Sequence, residues 1–327
     1  MRNFLDKTPD IDFLKIKKQG YIISTLLVVA SLVVIFTKGF NLGLDFTGGT
    51  SIQVKFVDKV EISQIRAALR LVNLQDSMIQ EIGTQKVEYE IRVSLKKGKS
   101  SEIVQKVKKA LKDKFGDRFE IRKIDYIGAV VGEELRKASV YSIVAVLVAI
   151  LLYVGYRFEP VFAIGAVIPL FHDAIITLGI FALIGEEVNL AVIAAILTVL
   201  GYSLNDTIII FDRIRENIKL RGKKNLLQLV NQSINENLSR TVITSGTTLF
   251  SVLALYLFGG ESLKGFSLAL LIGIIFGTYS SIYVASPLIV DLDRFFRKKV
   301  TGEKHQKLFK KLTSLHCKQQ MQQSMQM

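Results

Sequence analysis

Six apolar stretches determine what this chain can fold into. They lie at Tyr21–Thr37, Ala138–Tyr156, Val161–Ile184, Val188–Phe211, Thr241–Phe258 and Gly265–Pro287. Each has close to the ~20 residues that a helix needs to cross a bilayer, where a segment of this length must satisfy its own backbone hydrogen bonds. The chain is 50% hydrophobic with a mean hydropathy of +0.36, which is too apolar for an ordinary soluble protein. The sequence therefore predicts an α-helical membrane protein with six transmembrane helices.

The net charge of +14 follows the predicted topology. Five lysines and arginines precede the first stretch, seven lie in the 212–240 connection and nine follow residue 291, whereas the short loops 185–187 and 259–264 hold one together. Short loops rich in lysine and arginine stay in the cytoplasm. We therefore expect both termini to be cytoplasmic, residues 39–137 to be exported, and the basic surface to contact the lipid bilayer and no nucleic acid.

Residues 39–137 have the composition of a soluble domain. Alternating apolar residues predict strands at 51–57, 78–82, 87–95 and 119–127, and helical spacing predicts helices at 62–71 and 101–115. The order β-α-β-β-α-β is that of an α+β ferredoxin-like fold, which hosts many functions. The single cysteine, Cys317, lies in the tail, so we expect this domain to fold without a disulfide.

The same patterns predict the remaining boundaries. Residues 1–19 form a cytoplasmic N-terminus and 20–38 the first transmembrane helix, which we expect to be retained because no small-x-small cleavage site follows it. Residues 138–290 form a five-helix membrane bundle, and its 212–240 loop is predicted to carry an amphipathic helix at the cytoplasmic surface. The basic tail, 291–327, is predicted to be disordered.

Asp206 and Arg240 are the strongest functional candidates. Asp206 lies within the fourth apolar stretch and Arg240 at the start of the fifth. An ionisable side chain at membrane depth costs at least a few kcal/mol, so such groups mark ion pathways more often than not. The connection returns the chain to the same side, and we expect the two side chains to be buried and to face each other. A structural ion pair is the alternative, although apolar packing could replace it at little cost.

Two further groups of polar residues lie in apolar stretches. His172 and Asp173 follow Pro169, which frees a backbone carbonyl within its helix; they are either functional or hydrogen-bonded to neighbouring helices for structure. Four hydroxyl residues follow Arg240 and either line a hydrated path or bond to their own helix. These four residues are Thr244, Ser245, Thr247 and Thr248.

Glycine-rich segments have two interpretations. Gly43–Thr50, with Asp45, Gly48 and Gly49, superficially resembles a phosphate loop, but a glycine stands where the lysine is required. We expect a tight turn before the first strand or a contact with a partner, and no ATP binding. Gly273 and Gly277 match the small-xxx-small pattern of helix packing.

Several of these segments together resemble the SecD/SecF family of bacterial protein-export subunits, which are related to the resistance-nodulation-division transporters. The resemblance covers about residues 15–295, and the short exported region is similar to the SecF branch rather than to SecD. The segments are Gly43–Thr50, His172–Asp173, Gly201–Asn217 and Ser239–Thr248.

The resemblance implies a multi-pass subunit of the Sec translocase in the bacterial cytoplasmic (inner) membrane. It implies SecD, the SecYEG channel, YajC, YidC and a translocating preprotein as partners, with no enzymatic activity, cofactor or metal. The proton-motive force would help to complete translocation after the ATP-dependent SecA step, with sodium as the coupling ion in some relatives. Asp206 and Arg240 take the ion-coupling roles, and further residues of these segments are expected to assist: His172, Asp173, Asn205, Asp212, Arg213, Thr244 and Ser245.

Two other functions remain open at this point. A half-transporter could use the same acid to export a small molecule or a lipid, and a large apolar cavity in the exported domain would favour it. A purely structural assembly subunit would tolerate neutralisation of Asp206.

The predicted topology can be tested by thiol labelling. A cysteine in place of Lys97 should react with an impermeant reagent added outside intact cells, because residues 39–137 are expected to be exported. A cysteine in place of Lys223 should not react, because it lies in a basic connection. Labelling of position 223 from outside would contradict the six-helix topology.

Overall fold

A computed structural model describes residues 9–82, 85–94, 100–222 and 225–295. The positions 97 and 223, residues 1–8 and the tail beyond residue 295 lie outside the described residues. The chain is mostly helical, and six helices are long and apolar enough to cross a membrane, as predicted from the sequence. They are Phe13–Lys38, Val130–Arg157, Val161–Ile184, Leu190–Arg221, Leu226–Phe258 and Ser262–Phe295.

The elements follow one another in a simple order. A short 3-10 turn, Phe13–Ile16, precedes the first helix, and a π-helical turn, Ser281–Ala285, interrupts the last one before residues 286–295. The helices are α1 Lys17–Lys38, α2 Leu44–Thr47, α3 Ile62–Arg70, α4 Ser100–Phe115, α5 Ala129–Arg157, α6 Pro160–Ile184, α7 Leu190–Arg221, α8 Leu226–Phe258 and α9 Glu261–Ser280. The strands are β1 Asn41–Leu42, β2 Gly49–Phe56, β3 Met78–Glu81, β4 Glu88–Ser94, β5 Phe119–Ile127 and β6 Glu187–Val188.

The region between α1 and α5, here called the sheet domain (residues 49–127), contains the six elements predicted for it. Its four strands are antiparallel in the order β3-β4-β2-β5, and Ile52 of β2 lies between Ile91 of β4 and Ile124 of β5. Alternate strand residues point towards α3 and α4, whose apolar faces complete the core. The buried core residues are Ile52, Val54, Phe56, Val60, Ile65, Ala68, Leu69, Leu74, Ile79, Tyr89, Ile91, Val93, Ile103, Val107 and Leu111.

The second membrane-capable helix is longer than the apolar stretch that predicts it. Helix α5 begins at Ala129, so the second membrane-capable helix starts well inside the region assigned to the exported domain. Its first turns pack on α2: a Cβ at Gly132 would lie 3.0 Å from the backbone nitrogen of Gly48. Sequence periodicity alone indicates neither the extension of the helix beyond its apolar stretch nor the close approach of the two backbones.

The separate amphipathic helix predicted in the 212–240 loop is also absent from the described residues. Helices α7 and α8 instead extend towards each other and leave only residues 222–225 between them. Side chains join the two extensions, because Arg213 donates to Glu236 at 2.5 Å and Asn217 donates to Ser233 at 2.9 Å. Val230 and Ile234, two apolar residues of this part of α8, belong to the same buried cluster as Phe13.

Close contacts between small residues hold α7 and α9 together. A Cβ at Gly273 would lie 2.2 Å from a methyl group of Val199, and one at Gly277 would lie 3.0 Å from the Cβ of Ser203. The packing interpretation of this glycine pair is therefore confirmed. Since α7 also packs on α6 and α8, its inner residues are surrounded by other helices.

Residues 40–130, expressed alone, should fold, because fifteen buried apolar residues form a core confined to this region. We expect a cooperative thermal transition and the circular dichroism of mixed helix and sheet. Ile91→Ala should lower the free energy of unfolding by about 2–5 kcal/mol, whereas Lys123→Ala at the exposed surface should change it by less than about 0.5 kcal/mol. A coil-like spectrum without a transition would contradict this assignment.

Candidate functional site

Asp206 lies in the middle of α7 and is buried, with 2% of its surface exposed. Its Oδ2 accepts a long hydrogen bond of 3.4 Å from the Ser245 hydroxyl on α8. The Thr278 hydroxyl on α9 in turn donates to Ser245 at 2.9 Å. The carboxyl group is therefore linked through hydroxyl groups to both neighbouring helices, and this is a weak set of donors for a buried charge.

Arg240 does not lie where the sequence suggested. Its side chain is exposed on the surface of the isolated chain, and in the part of the chain that the structure describes no ion pair joins it to Asp206. The pairing of α7 with α8 explains this result. Because Ser245 is opposite Asp206 and Glu236 is opposite Arg213, Arg240 lies more than one helical turn beyond the acid. The expectation of a buried, facing pair is therefore wrong.

Asp173 is the most buried carboxyl group of the bundle, with none of its surface exposed. Its Oδ2 accepts hydrogen bonds from Ser203 of α7 at 2.6 Å and from Ser280 of α9 at 2.9 Å, and its Oδ1 lies 2.8 Å from His172 Nδ1. Three helices therefore meet at this carboxyl group. The sequence left a structural and a functional role open, and the geometry accommodates both.

The His172 ring completes this cluster. It is 6% exposed and stacks on Tyr279 with a centroid distance of 6.3 Å. Its Nε2 is buried without a hydrogen-bond partner among the described residues, and so is the hydroxyl group of Thr207 on α7. Buried polar atoms without partners cost about 1–3 kcal/mol each, so they are few in a folded protein; among the described residues a third, Oε1 of Gln75, lies in the sheet domain.

The hydroxyl residues after Arg240 have different roles. Thr244, Thr247 and Thr248 donate to carbonyl groups of their own helix, as the structural interpretation predicted. Ser245 is the exception because it contacts Asp206. Thr248 also accepts from the Tyr202 hydroxyl at 3.3 Å.

The remaining residues suggested by the family pattern lie apart from Asp206. Asn205 and Asp212 are exposed, and Asp212 lies 4.0 Å from Arg157. Arg213 pairs with Glu236 and with Glu216. Arg213 thus joins α7 to α8, and of the residues suggested by the family pattern Ser245 is the one that contacts the acid.

The Gly43–Thr50 turn contacts the membrane helices. Strand β1 pairs in parallel with β6, Gly43 N donates to Val188 O at 2.8 Å, and Asp45 Oδ2 accepts from Leu190 N at 2.9 Å. Leu190 is the first residue of α7, so Asp45 satisfies a free N–H group and places a negative charge at the positive end of the helix dipole. The turn therefore holds the start of the helix that carries Asp206.

Two glycines shape this turn for different reasons. Gly48 has φ of +65°, a conformation that other residues adopt with strain. A Cβ at Gly49 would lie 2.4 Å from the carbonyl oxygen of Val93 on β4. The segment forms a tight turn in the described structure, and this turn contacts another part of the same chain.

An arginine that the sequence did not indicate strengthens this contact. Arg92 of β4 donates to both carboxylate oxygens of Glu187, at 3.0 and 3.1 Å, and to Glu90 at 2.8 Å. Burial raises the pKa of Glu187 even though Arg92 opposes the shift. Hydrogen bonds from Arg92 and Ser51 outweigh burial at Glu90 and lower its pKa. We call this contact the clasp; it consists of Gly43, Asp45, Glu90, Arg92, Glu187 and Leu190.

The clasp could not be found from local pattern. Arg92 lies on a strand where alternating polar residues are ordinary, and Glu187 lies in a three-residue loop. The available signal was the charge of Glu187 next to an apolar helix start. Among the described residues, including those of the clasp, no group of three His, Cys, Asp or Glu residues could hold a metal ion.

The sequence of the chain is similar to those of known protein-export subunits. Residues 106–294 match the family described as protein export membrane protein SecD/SecF, C-terminal, and residues 33–60 match the SecD/SecF GG motif. The chain is 45% identical to protein translocase subunit SecF of Desulfurispirillum indicum, over 86% of this chain and 91% of that protein. It is also 45% identical to SecF of Vibrio alginolyticus, over 89% and 93%.

Solved structures show the same similarity. The chain superposes on SecDF, a translocon-associated membrane protein from Thermus thermophilus, with a TM-score of 0.77 and 36% identity over 89% of this chain. A second structure, SecDF in a super-membrane-facing form, gives 0.70 and 35% over 90%. The chain spans 39% and 40% of the lengths of these two SecDF chains.

Removal of one donor to Asp173 should destabilise the bundle. Ser203→Ala and Ser280→Ala should each lower the stability by about 1–3 kcal/mol, because each leaves a buried acceptor short of a bond. The measurement is the midpoint of heat-induced aggregation in detergent. Thr198→Ala is the matched control on α7, because its hydroxyl group donates to Ala194 O of the same helix. Equal midpoints for Ser203→Ala and Thr198→Ala would contradict this role of Ser203.

Proposed function

The chain belongs to the SecD/SecF family of protein export membrane proteins, and we propose that it is the SecF subunit of a Sec translocase that uses the proton-motive force. In this proposal it acts with SecD to help complete translocation through SecYEG after the ATP-dependent SecA step. The observation that carries the proposal is the buried Asp206 in the middle of α7, within a chain 45% identical to SecF subunits over most of its length.

We further propose that the sheet domain is ferredoxin-like and extracytoplasmic. The element order and the strand order β3-β4-β2-β5 support the fold. The distribution of lysine and arginine supports the orientation, with both termini on the cytoplasmic side of the bacterial inner membrane. The domain would then be positioned to contact a preprotein as it leaves the channel.

Asp206 is proposed to exchange the coupling proton. Its long bond to Ser245 and the relay to Thr278 connect it to α8 and α9, so a change in its charge alters two helix contacts at once. The membrane potential supplies about 2.3 kcal/mol per charge per 100 mV. This energy biases two arrangements of the helices modestly for each proton, and several protons per stroke would bias them strongly.

Arg240 contributes to this proposal in a different way from the buried pair. Its exposed side chain lies on the surface of α8, more than one helical turn from Ser245, which is opposite Asp206. From there its positive charge acts on Asp206 at a distance and is available to a partner subunit. We propose SecD as that partner, since the solved SecDF structures match this chain along most of its length.

The clasp offers a route from Asp206 to the sheet domain. The domain holds the first residue of α7 through Asp45 and the loop before it through Arg92. A shift or rotation of α7 would therefore move the sheet domain without a flexible linker between them. Asp173 and His172 are proposed to assist, because they join α6, α7 and α9 around one buried carboxyl group.

A cleft in the sheet domain bears on the alternative functions. It has a volume of about 370 Å³, is open to the surface and is lined mainly by charged and polar residues, among them Asp58, Lys59, Lys114 and Arg118. A half-transporter for a lipid would favour a larger apolar cavity. The polar cleft supports an interaction with protein, and YajC, YidC and SecYEG remain proposed partners.

Neutralisation of Asp206 tests the mechanism. Asp206→Asn keeps the shape and removes the titrating group, so proton-coupled secretion should be lost while the protein still inserts and assembles. The measurement is the secretion of a reporter protein in cells depleted of the native gene, with membrane levels determined by blot. Glu134→Gln, which removes an exposed carboxylate on α5, is the matched control. Wild-type secretion by Asp206→Asn would show that the acid is structural.

Variants of Arg240 distinguish a direct contact of its guanidinium group from an electrostatic effect of its charge on Asp206. Arg240→Met should reduce secretion, and Arg240→Lys should restore most of it, because a positive charge near Asp206 is required rather than a bidentate contact. The exchange Asp206→Arg with Arg240→Asp should assemble better than it functions. Full activity of Arg240→Met would contradict the electrostatic role.

A further inference from the structure

The clasp holds more negative than positive charge. Two carboxyl groups, those of Glu90 and Glu187, share one guanidinium group, that of Arg92, and a third carboxyl group, that of Asp45, acts on Glu187. Asp45 is compensated by the N–H group and the dipole of α7. Glu90 has a second donor, the Ser51 hydroxyl, at 2.5 Å. Glu187 depends on the shared Arg92 for its charge compensation.

The position of Glu187 is enclosed. Its side chain is 11% exposed, and a Cβ at Gly43 would lie 2.4 Å from its Oε1. The backbone of the Gly43–Thr50 turn therefore packs directly against the carboxyl group. Undocking of the sheet domain together with the Gly43–Thr50 turn would remove both this cover and Arg92, and would return Glu187 to water.

We propose that Glu187 is a proton-binding site and that a proton bound there strengthens the contact between the sheet domain and α7. The proton comes from water on the side of the sheet domain and adds to a carboxylate oxygen of Glu187. It lowers the excess negative charge of the clasp, and it leaves again when the domain undocks. The assignment of that side as extracytoplasmic rests on the proposed function.

The direction of the effect follows from linkage. Burial raises the pKa of docked Glu187, with Asp45 and Glu90 in the same direction and Arg92 against it, whereas an undocked Glu187 has its ordinary value. The docked state therefore binds a proton more tightly, so docking strengthens as the pH falls through the raised pKa and weakens above it. One proton changes the docking equilibrium by at most about tenfold per pH unit.

Glu90 does not reverse this effect. The donors that lower its pKa, Arg92 and Ser51, lie with it in the sheet domain, so the lowered pKa is kept when the domain undocks. The pH dependence of docking therefore comes from Glu187.

The site would respond to the same gradient as Asp206. Under a proton-motive force the extracytoplasmic side is the acidic one, so the clasp closes there while Asp206 exchanges its proton farther along α7. The distance along the helix from Leu190 to Asp206 is about 24 Å. Two proton sites on one helix would link the position of the sheet domain to the state of the bundle.

Distance measurements on the full-length chain test the proposal. Spin labels replace Asp117, exposed on the sheet domain, and Phe258, exposed at the end of α8, in a Cys317→Ser background in nanodiscs. Between about pH 8 and about pH 5, which brackets a raised glutamate pKa, the wild-type distance distribution should narrow on acidification. The distance distribution of Glu187→Gln should be narrow over the whole pH range, because the amide resembles the protonated carboxyl group.

Two variants control this result. Glu186→Gln, in the same loop, should keep the wild-type pH dependence. Arg92→Gln should broaden the distribution at high pH and move the transition to higher pH, because the opposing charge is gone. A wild-type distribution that does not change with pH, or a pH dependence that persists in Glu187→Gln, would overturn the proposal.

These measurements are independent of secretion. Failure of the proposed function would appear as normal secretion by Asp206→Asn while the pH response of the clasp remains. Failure of the present proposal would appear as the absence of that response in a chain whose Asp206→Asn variant does not secrete.

Discussion

A carboxyl group buried among apolar helices must find hydrogen-bond donors on its neighbours, and this requirement organises the bundle. Asp173 obtains three donors, from α6, α7 and α9, whereas Asp206 obtains one long bond from α8 that is backed by α9. Asp173 is therefore well placed to fix the packing. Asp206 has few donors to lose when its charge changes, which suits a group that exchanges protons. Helix α9 supplies hydroxyl groups to both sites, and its π-helical turn begins directly after Ser280, as such turns often do near functional residues.

Helix α7 is held by side-chain contacts at both ends. At one end the clasp connects it to the sheet domain, and at the other Arg213 and Asn217 join it to α8. A helix restrained in this way transmits a shift along its axis instead of absorbing it. Asp206 lies between the two restraints, so a change in its contacts is felt at both. The clasp also gives a physical role to the glycine-rich turn, whose backbone must approach Glu187 and β4 more closely than any side chain would allow.

The sequence predicted the structure best where the pattern of apolar residues indicates which side chains are buried. The six spanning helices could be predicted from the length of their apolar stretches, and the elements of the sheet domain from the spacing of apolar residues. Asp206 was conspicuous as a charge in an apolar stretch. Arg240 was placed wrongly because sequence distance does not give the rotation of a helix face; the α7–α8 pairing puts Ser245 opposite the acid. Arg92 and Glu187 lie 95 residues apart and have no local signature, so only the folded chain brings them together. The 212–240 segment was expected to carry a separate amphipathic helix at the membrane surface, whereas α7 and α8 extend through it and Arg213 pairs with Glu236 between them.

In the proposed mechanism Asp206 gains and loses a proton as the bundle changes state. Infrared difference spectroscopy on the chain reconstituted with SecD tests it most directly, with the carboxyl C=O band recorded as a pH gradient is imposed across the liposome. The account predicts a band for a protonated carboxyl group that changes with the gradient and is missing in Asp206→Asn, while Glu134→Gln retains it. A spectrum in which no carboxyl band depends on Asp206 would contradict the account.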